Sequence, residues 1–303
     1  MVLQNGTKKT FVVRGLMISK IAIMILVHKN EEQVNRLIKH LSKDFDIYVH
    51  IDKRFSIKTN AQSNVFFYKK YETCWGSFNL IAATLLLLRE ARKKNYERYI
   101  LISGQDLPIK TNKEIKNFFE NNDSEYIDIE KMPRKDGSPD MKNCLQYYHQ
   151  NYKYGEKEIK YRIFYRFLRK IFYIMNKYIP RKLDYDFYGG AQWFNITKNN
   201  VDKIFEYIKY NKKYIKRYKW TLCTDELFFH TIIHQINGIN IKNNCLRYID
   251  WKSGPEYPRI LRINDYEKIM DGGNIFARKF DIVIDNEIVD KIYNTIKEDI
   301  DIW

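Results

Sequence analysis

Residues 21–130 alternate buried-strand and amphipathic-helix patterns, and this alternation limits the fold more than any other feature. "IAIMILV" (21–27) is an unbroken, isoleucine-rich apolar run, the pattern of a strand covered on both faces. In "NEEQVNRLIKHLSK", Asn30 stands where a cap belongs and Gln33 completes a capping box. Val34, Leu37, Ile38 and Leu41 then share one helical face. "IYVHID" (47–52) and "NVFFY" (64–68) read as the second and third strands. Ser77 is placed to cap an apolar helix through Leu80, Leu85, Leu88 and Ala91. "YILIS" (99–103) is a fourth strand, Thr111 and Glu114 form a capping box before "NKEIKNFFENN", and "EYIDIE" (125–130) is a fifth strand. Short connections between such elements imply an α/β fold: a Rossmann-like, mostly parallel sheet with helices on both faces. Ligands of such sheets bind at the carboxyl ends of the strands. Those ends are polar here: "HKN" (28–30), "HIDK" (50–53) and "SGQD" (103–106).

Residues 1–20 show neither periodicity nor the apolar centre of a secretory signal. They read as an N-terminal extension, leaving 21–303 as one domain with no internal repeat and no Pro/Gly-rich linker. The 45% hydrophobic content allows a sizeable core. No apolar run approaches the roughly 20 residues of a membrane-spanning helix. Four well-separated cysteines without a CxxC pair read as reduced thiols in a cytoplasmic protein. A net charge of +16 favours an anionic partner. Between Asn151 and Lys182, ten basic and two acidic residues are interleaved with nine Tyr or Phe. Ile163, Phe164, Phe167, Leu168, Ile171, Phe172 and Met175 keep helical spacing. The spacing predicts a helix packed on the core with a solvated basic face. Contact with an anionic membrane surface or an acidic glycan is the other reading.

The phosphate-binding GxxxxGK[ST], the dinucleotide GxGxxG and the hydrolase GxSxG are absent. Glu226, His230 and His234 recur at steps of four, but a zincin site needs glutamate directly after its first histidine, where Thr231 stands. Thr224 is a plausible cap, which places Glu226 in a first helical turn. There the amide dipoles favour an ionised carboxylate, and such a group in a cleft can take a proton from a hydroxyl. By itself, this stretch is more simply read as a helix start without chemistry. Arg247 in "LRYIDW" and Arg278 and Lys279 in "FARKFD" put cations on strand-like stretches. Such charges need an anionic partner, either Asp250 and Asp281 within the chain or a diphosphate.

"ILVHKN", "YVHIDK", "WGSFNLIAATLLLLREA", "YILISGQDLPIKTN", "GGAQWF", "TDELFFHTII", "LRYIDW" and "FARKFD" occur in that order over residues 21–281. Together they resemble the core-2/I-branching family of glycosyltransferases, which includes the peptide O-xylosyltransferases. The resemblance implies a glycosyltransferase A fold and an inverting transfer from a nucleotide sugar. The donor would be a UDP-sugar carrying GlcNAc or another sugar such as xylose. It also implies metal-independent chemistry. Relatives of that fold hold a divalent metal with a DxD at a strand end, where this chain has Asp106 alone. By motif, Glu226 matches the catalytic base. Lys279 and Arg247 match the cations on the diphosphate, with Arg259 of "EYPRIL" a rival to Arg247. Val27, His28 and Asp52 match the strand ends that hold the uridine. Asp106, Gln105, Trp193 and Asp225 lie near the sugar or acceptor. The chain looks like a bacterial, cytoplasmic member acting on a glycan or lipid-linked acceptor, peripheral on the inner membrane, with no nucleic-acid partner. Two other readings stand beside it: a non-catalytic basic module for acidic glycan or nucleic acid, and a metal-dependent transferase using Asp128 and Glu130 as a makeshift DxD.

Overall fold

A computed structural model describes residues 20–59, 62–133, 141–149, 159–183, 185–236, 238–254 and 258–297. The expected N-terminal extension, apart from Lys20, lies outside the described residues. So do 134–140, 150–158 and 184 within the 131–186 stretch. The strands are β1 (Ile21–Val27), β2 (Asp46–Ile51), β3 (Val65–Tyr68), β4 (Arg98–Ser103), β5 (Asp106–Pro108), β6 (Glu125–Ile127), β7 (Glu130–Met132), β8 (Phe187–Gly189), β9 (Phe194–Thr197), β10 (Ile241–Asn243), β11 (Arg247–Ile249) and β12 (Phe276–Arg278). The helices are α1 (Glu31–Leu41), α2 (Phe78–Ala91), α3 (Asn112–Phe119), α4 (Met141–Gln146), α5 (Ile159–Tyr178), α6 (Lys198–Tyr210), α7 (Lys212–Tyr218), α8 (Phe228–Gln235), α9 (Tyr266–Met270) and α10 (Asn286–Thr295).

Seven strands form the central sheet in the order β10-β6-β9-β4-β1-β2-β3. Neighbours run parallel except β9, which is antiparallel to both β4 and β6. The expected α/β architecture is present, and the alternation of side chains along β1 shows why it forms. Ile21, Ile23, Ile25 and Val27 face α1 and α3, packing with Val34, Leu37, Ile38, Leu41, Ile115 and Phe119. Ala22, Met24 and Leu26 face the opposite layer with Leu87 and Leu88 of α2, Val201 and Ile204 of α6 and Ile232 of α8. Both faces are covered, so an apolar residue is needed at every position of β1.

A second sheet, β11-β12-β5, has three residues per strand. It packs its own core of Leu107, Ala277, Phe280, Ile288, Val289 and Ile292. This sheet joins three stretches singled out in the sequence, "SGQDLP", "LRYIDW" and "FARKFD". β5 runs antiparallel to β12, with Asp106 opposite Arg278.

Several sequence expectations are corrected. Asn30 and Gln33 form no capping box. Asn30 is left-handed (φ 59°) without a side-chain cap bond, and its Nδ2 donates to Asp281 at 2.8 Å. The buried Gln33 amide donates to the carbonyls of Gly104 (2.9 Å) and Phe280 (3.2 Å) and accepts from the Ile282 amide (3.1 Å). These polar groups sew the C-terminal segment to the strand ends rather than closing their own helix. The Thr111–Glu114 box does form. "EYIDIE" is not one strand. β6 stays in the central sheet, and β7 pairs antiparallel with β8 in a separate two-stranded sheet. The break falls at Asp128, whose carboxylate accepts from the Cys245 amide at 2.8 Å. The packed-helix expectation for α5 holds in its second part and fails in its first. Of its seven periodic apolar residues Phe172 is buried and Leu168, Ile171 and Met175 are half-buried, while Ile163, Phe164 and Phe167 are exposed.

Candidate functional site

The carboxyl ends of β1 and β2 form the floor. The Val27 carbonyl accepts from the Asp52 amide at 2.7 Å. The buried Asp52 carboxylate accepts five hydrogen bonds. Arg54 gives its amide (2.8 Å), Nε (2.9 Å) and Nη2 (2.8 Å), and Thr73 gives its amide (2.7 Å) and hydroxyl (2.8 Å). Burial pushes its pKa up, but these donors outweigh burial and hold it well below the usual carboxylate range. The carboxylate therefore ties the turn at Arg54 to the loop at Thr73. His28 stands beside Asp52 and is exposed. Partial burial, then the charge of Lys29, lower its pKa.

Asp106 is fully buried. It accepts from the Ser103 amide (3.1 Å) and hydroxyl (2.8 Å), and Arg278 Nη1 lies 3.1 Å from its Oδ1. The Arg278 guanidinium also lies 4.0 Å from the centroid of the Trp193 ring, within the range of a cation–π contact. A fixed cation thus stands at the lone acid of "SGQD". Gln105 braces the same corner: its backbone carbonyl accepts from the Phe280 amide (2.9 Å), and its side chain donates to the Phe280 carbonyl (3.4 Å). Asp225 is buried as well, and its Oδ1 has no hydrogen-bond partner among the described residues. Burial raises its pKa to about 6, against the pull of its own amide and of Arg278.

Glu226 does not open a helix capped by Thr224. Thr224–Glu226 is a separate 3-10 turn, preceded by left-handed Cys223 (φ 52°), and α8 begins only at Phe228. Two close backbone approaches fix this turn. The Gly76 carbonyl accepts from the Thr224 amide at 3.4 Å, and a Cβ on Gly76 (φ +66°) would lie 3.0 Å from the Cys223 nitrogen. From the other side, the Gly190 amide donates to the Glu226 carbonyl at 3.0 Å. A Cβ on Gly190 would sit 2.1 Å from the Asp128 carbonyl oxygen. The glycine pair of "YGGAQWF" is therefore what lets β8 pass between Asp128 and the Glu226 turn. Arg54 donates to the Thr73 carbonyl at 3.0 Å, which links the Asp52 corner to the 73–77 loop and through Gly76 to Glu226. The charge of Arg278 acts on His28, Asp106 and Asp225 alike. His28, Asp52, Asp106, Trp193, Asp225, Glu226 and Arg278 therefore belong to one neighbourhood.

The other three cations differ in placement. Arg247 is buried, donating to the carbonyls of Leu101 (2.8 Å) and Cys245, 5.1 Å from the Phe276 ring centroid. Arg259 clamps Asp265 through both Nη atoms (2.9 and 2.6 Å) and Asp250 through Nε (2.9 Å). A phosphate would have to displace these partners from either arginine. Lys279 follows Arg278 directly and is half-buried, and its carbonyl accepts from the Leu261 amide at 2.9 Å. Asp281, considered above as an internal partner for the "FARKFD" cations, pairs with Lys29 at 2.8 Å and with Asn30.

Sequence reasoning weighed Arg278 only as a cation for an internal acid or a diphosphate and missed its place against Asp106; it also passed over Trp75, an exposed indole one residue before Gly76. A lone buried acid and a lone strand arginine were the available signal for the first. The histidines of "TDELFFHTIIH" have other work. His230 hydrogen-bonds the Ala191 carbonyl at 2.9 Å, and burial lowers its pKa to about 4. His234 stacks on Tyr188 at 3.5 Å. Asp128 and Glu130 sit on either side of the β6–β7 break. Among the described residues no group of three or more His, Cys, Asp or Glu side chains is placed to hold a metal ion.

A mixed α/β sheet with a charged cluster at its strand ends is of the class that binds ligands at the carboxyl edge of the sheet. The Core-2/I-Branching enzyme model matches residues 21–270, so the chain belongs to that family and is a glycosyltransferase. No curated protein matches the sequence. Among solved structures, the chain is similar to S. aureus TarS 1-349 at 13% identity and TM-score 0.24, over 44% of this chain and 43% of that one. It is also similar to the apo form of mouse xyloside xylosyltransferase 1, at 11% identity and TM-score 0.34, over 85% and 96%. Likenesses this low carry no argument about function.

Proposed function

We propose that the chain transfers a sugar with inversion from a UDP-sugar to a hydroxyl of a glycan or lipid-linked acceptor, without a divalent metal. The donor sugar is GlcNAc or a related UDP-linked sugar such as xylose. Glu226 takes the proton of the acceptor hydroxyl. The freed oxygen forms its bond to the anomeric carbon from the face opposite the diphosphate. The bond from that carbon to the diphosphate breaks, and its electron pair leaves with UDP. Lys279 and Arg278 meet the charge that develops there. Val27, His28 and the loop shaped by Asp52 lie where the uridine is held, and Trp193, Gln105 and Asp225 border the sugar. Arg247 and Arg259 act as struts.

The observation that supports this most is the Arg278 guanidinium 3.1 Å from Asp106. It puts a protein cation at the acid that metal-dependent relatives would use for an ion. The test is turnover of UDP-GlcNAc and UDP-xylose by the parent and by Glu226→Gln, with UDP binding measured beside it. Loss of roughly 100-fold or more in kcat with unchanged UDP affinity is expected. A variant of near-parental rate contradicts the assignment of the base.

A further inference from the structure

α5 carries no acidic residue in its twenty positions and six basic ones. Among the described residues, one side of it is tied to the body. Phe172 is buried edge-on against Trp220 at 5.2 Å and beside Tyr148 at 5.9 Å. The Asn176 side chain pairs with the Tyr148 backbone, accepting from its amide (2.7 Å) and donating to its carbonyl (3.0 Å). On a helix turning about 100° per residue, Ile163, Phe167 and Ile174 share one line roughly opposite Phe172. They are 64%, 61% and 56% exposed. Arg166, Lys170 and Lys177 repeat the same spacing three residues later, about 60° to one side, and all three are exposed. The apolar stripe read from the sequence is thus too wide for one contact. Phe172 takes the inner edge, and the outer edge remains uncovered beside a line of cations.

We propose that this outer face of α5 docks the enzyme on an anionic lipid bilayer. Ile163, Phe167 and Ile174 enter the boundary between headgroups and acyl chains, and Arg166, Lys170 and Lys177 lie against anionic headgroups. An apolar line flanked by cations, without acids, is complementary to that surface and to few others. Neutral bilayers lack the charge, and soluble polyanions have nothing to receive the apolar line. The helix lies on the membrane and does not cross it. No helix among the described residues is long and apolar enough to span.

The test is co-sedimentation of the full chain with vesicles of phosphatidylcholine, with and without phosphatidylglycerol, at low and high salt. The parent is expected to bind only the anionic vesicles and to release as salt rises. Replacing Arg166, Lys170 and Lys177 with glutamine should lower partitioning about fivefold per charge. Ile163→Ser, Phe167→Ser and Ile174→Ser together should abolish binding without shifting the thermal unfolding midpoint, since none of the three is packed. Failure to bind at low salt overturns the proposal, as does equal binding to neutral vesicles. An apolar triple variant that still sediments with vesicles overturns it too, and shows a polyanion site. Concentration-dependent dimerisation that the same triple variant abolishes would assign the face to a second copy of the chain instead.

Discussion

At the scale of single residues, the site is a set of buried charges held by one arginine. Arg278 acts on three neighbours, and Asp225 alone among them is left with an oxygen lacking a hydrogen-bond partner among the described residues. The sign of its pH effect follows. The unfolded carboxyl titrates near 4, and the folded one at about 6. Between these values the folded state holds a proton that the unfolded state has released, so stability falls as pH rises through that window. Above it, the ionised buried carboxylate destabilises the fold. Asp225→Asn is therefore expected to raise stability at pH 7.5 by on the order of 1–3 kcal/mol and to flatten the pH dependence between about 4 and 6. Urea unfolding curves across that range check this, and parallel curves for parent and variant contradict it. Lys279 makes a different prediction. With Asp281 held by Lys29 and Asn30, the Lys279→Met variant reads the diphosphate contact rather than a broken Lys279–Asp281 pair. It should weaken UDP by about 1–3 kcal/mol, as for a charge-assisted hydrogen bond, and leave uridine affinity intact. Titration of both ligands decides. Equal losses for the two would remove Lys279 from the diphosphate.

At the scale of elements, what was legible in the sequence was what repeats. β1, β2 and β4 announce themselves by apolar runs and α3 by its capping box, because those signals are local. The three-residue strands β5, β11 and β12 have no period to detect, and they meet only after the chain has wound through some 170 residues between Asp106 and Arg278. Asn30 and Gln33 look like a capping box because local spacing is all a sequence displays. Their partners at 280–282 lie about 250 residues away. The motif order led to Glu226, but not to the 3-10 turn that carries it or the glycines that pin that turn. Gly190 tests this part. Gly190→Ala drives a methyl against the Asp128 backbone, which cannot swing away as a side chain can. It should cost about 1–3 kcal/mol or more in a denaturant curve and lower turnover by displacing the Glu226 turn. At Gly273 an added Cβ meets nothing within 4 Å, so Gly273→Ala should fall within about 0.5 kcal/mol of the parent. A Gly190→Ala protein as stable and active as the Gly273 control would show that the close approach does not matter.

At the scale of the whole molecule, the central sheet sets out polar strand ends, and the small sheet brings Arg278 to them. Glu226 arrives from a third direction, on the turn before α8. In the proposed mechanism the Arg278 guanidinium beside Asp106 stands in for an ion, and Glu226 accepts the proton. Inverting transfer that needs no ion is the central claim. The most direct measurement is proton NMR of the product formed from an α-linked UDP-sugar in excess EDTA. The account predicts a β-linked product, formed at the rate seen without chelator. Retention of the α configuration, or loss of activity on chelation with recovery on adding manganese, would contradict it.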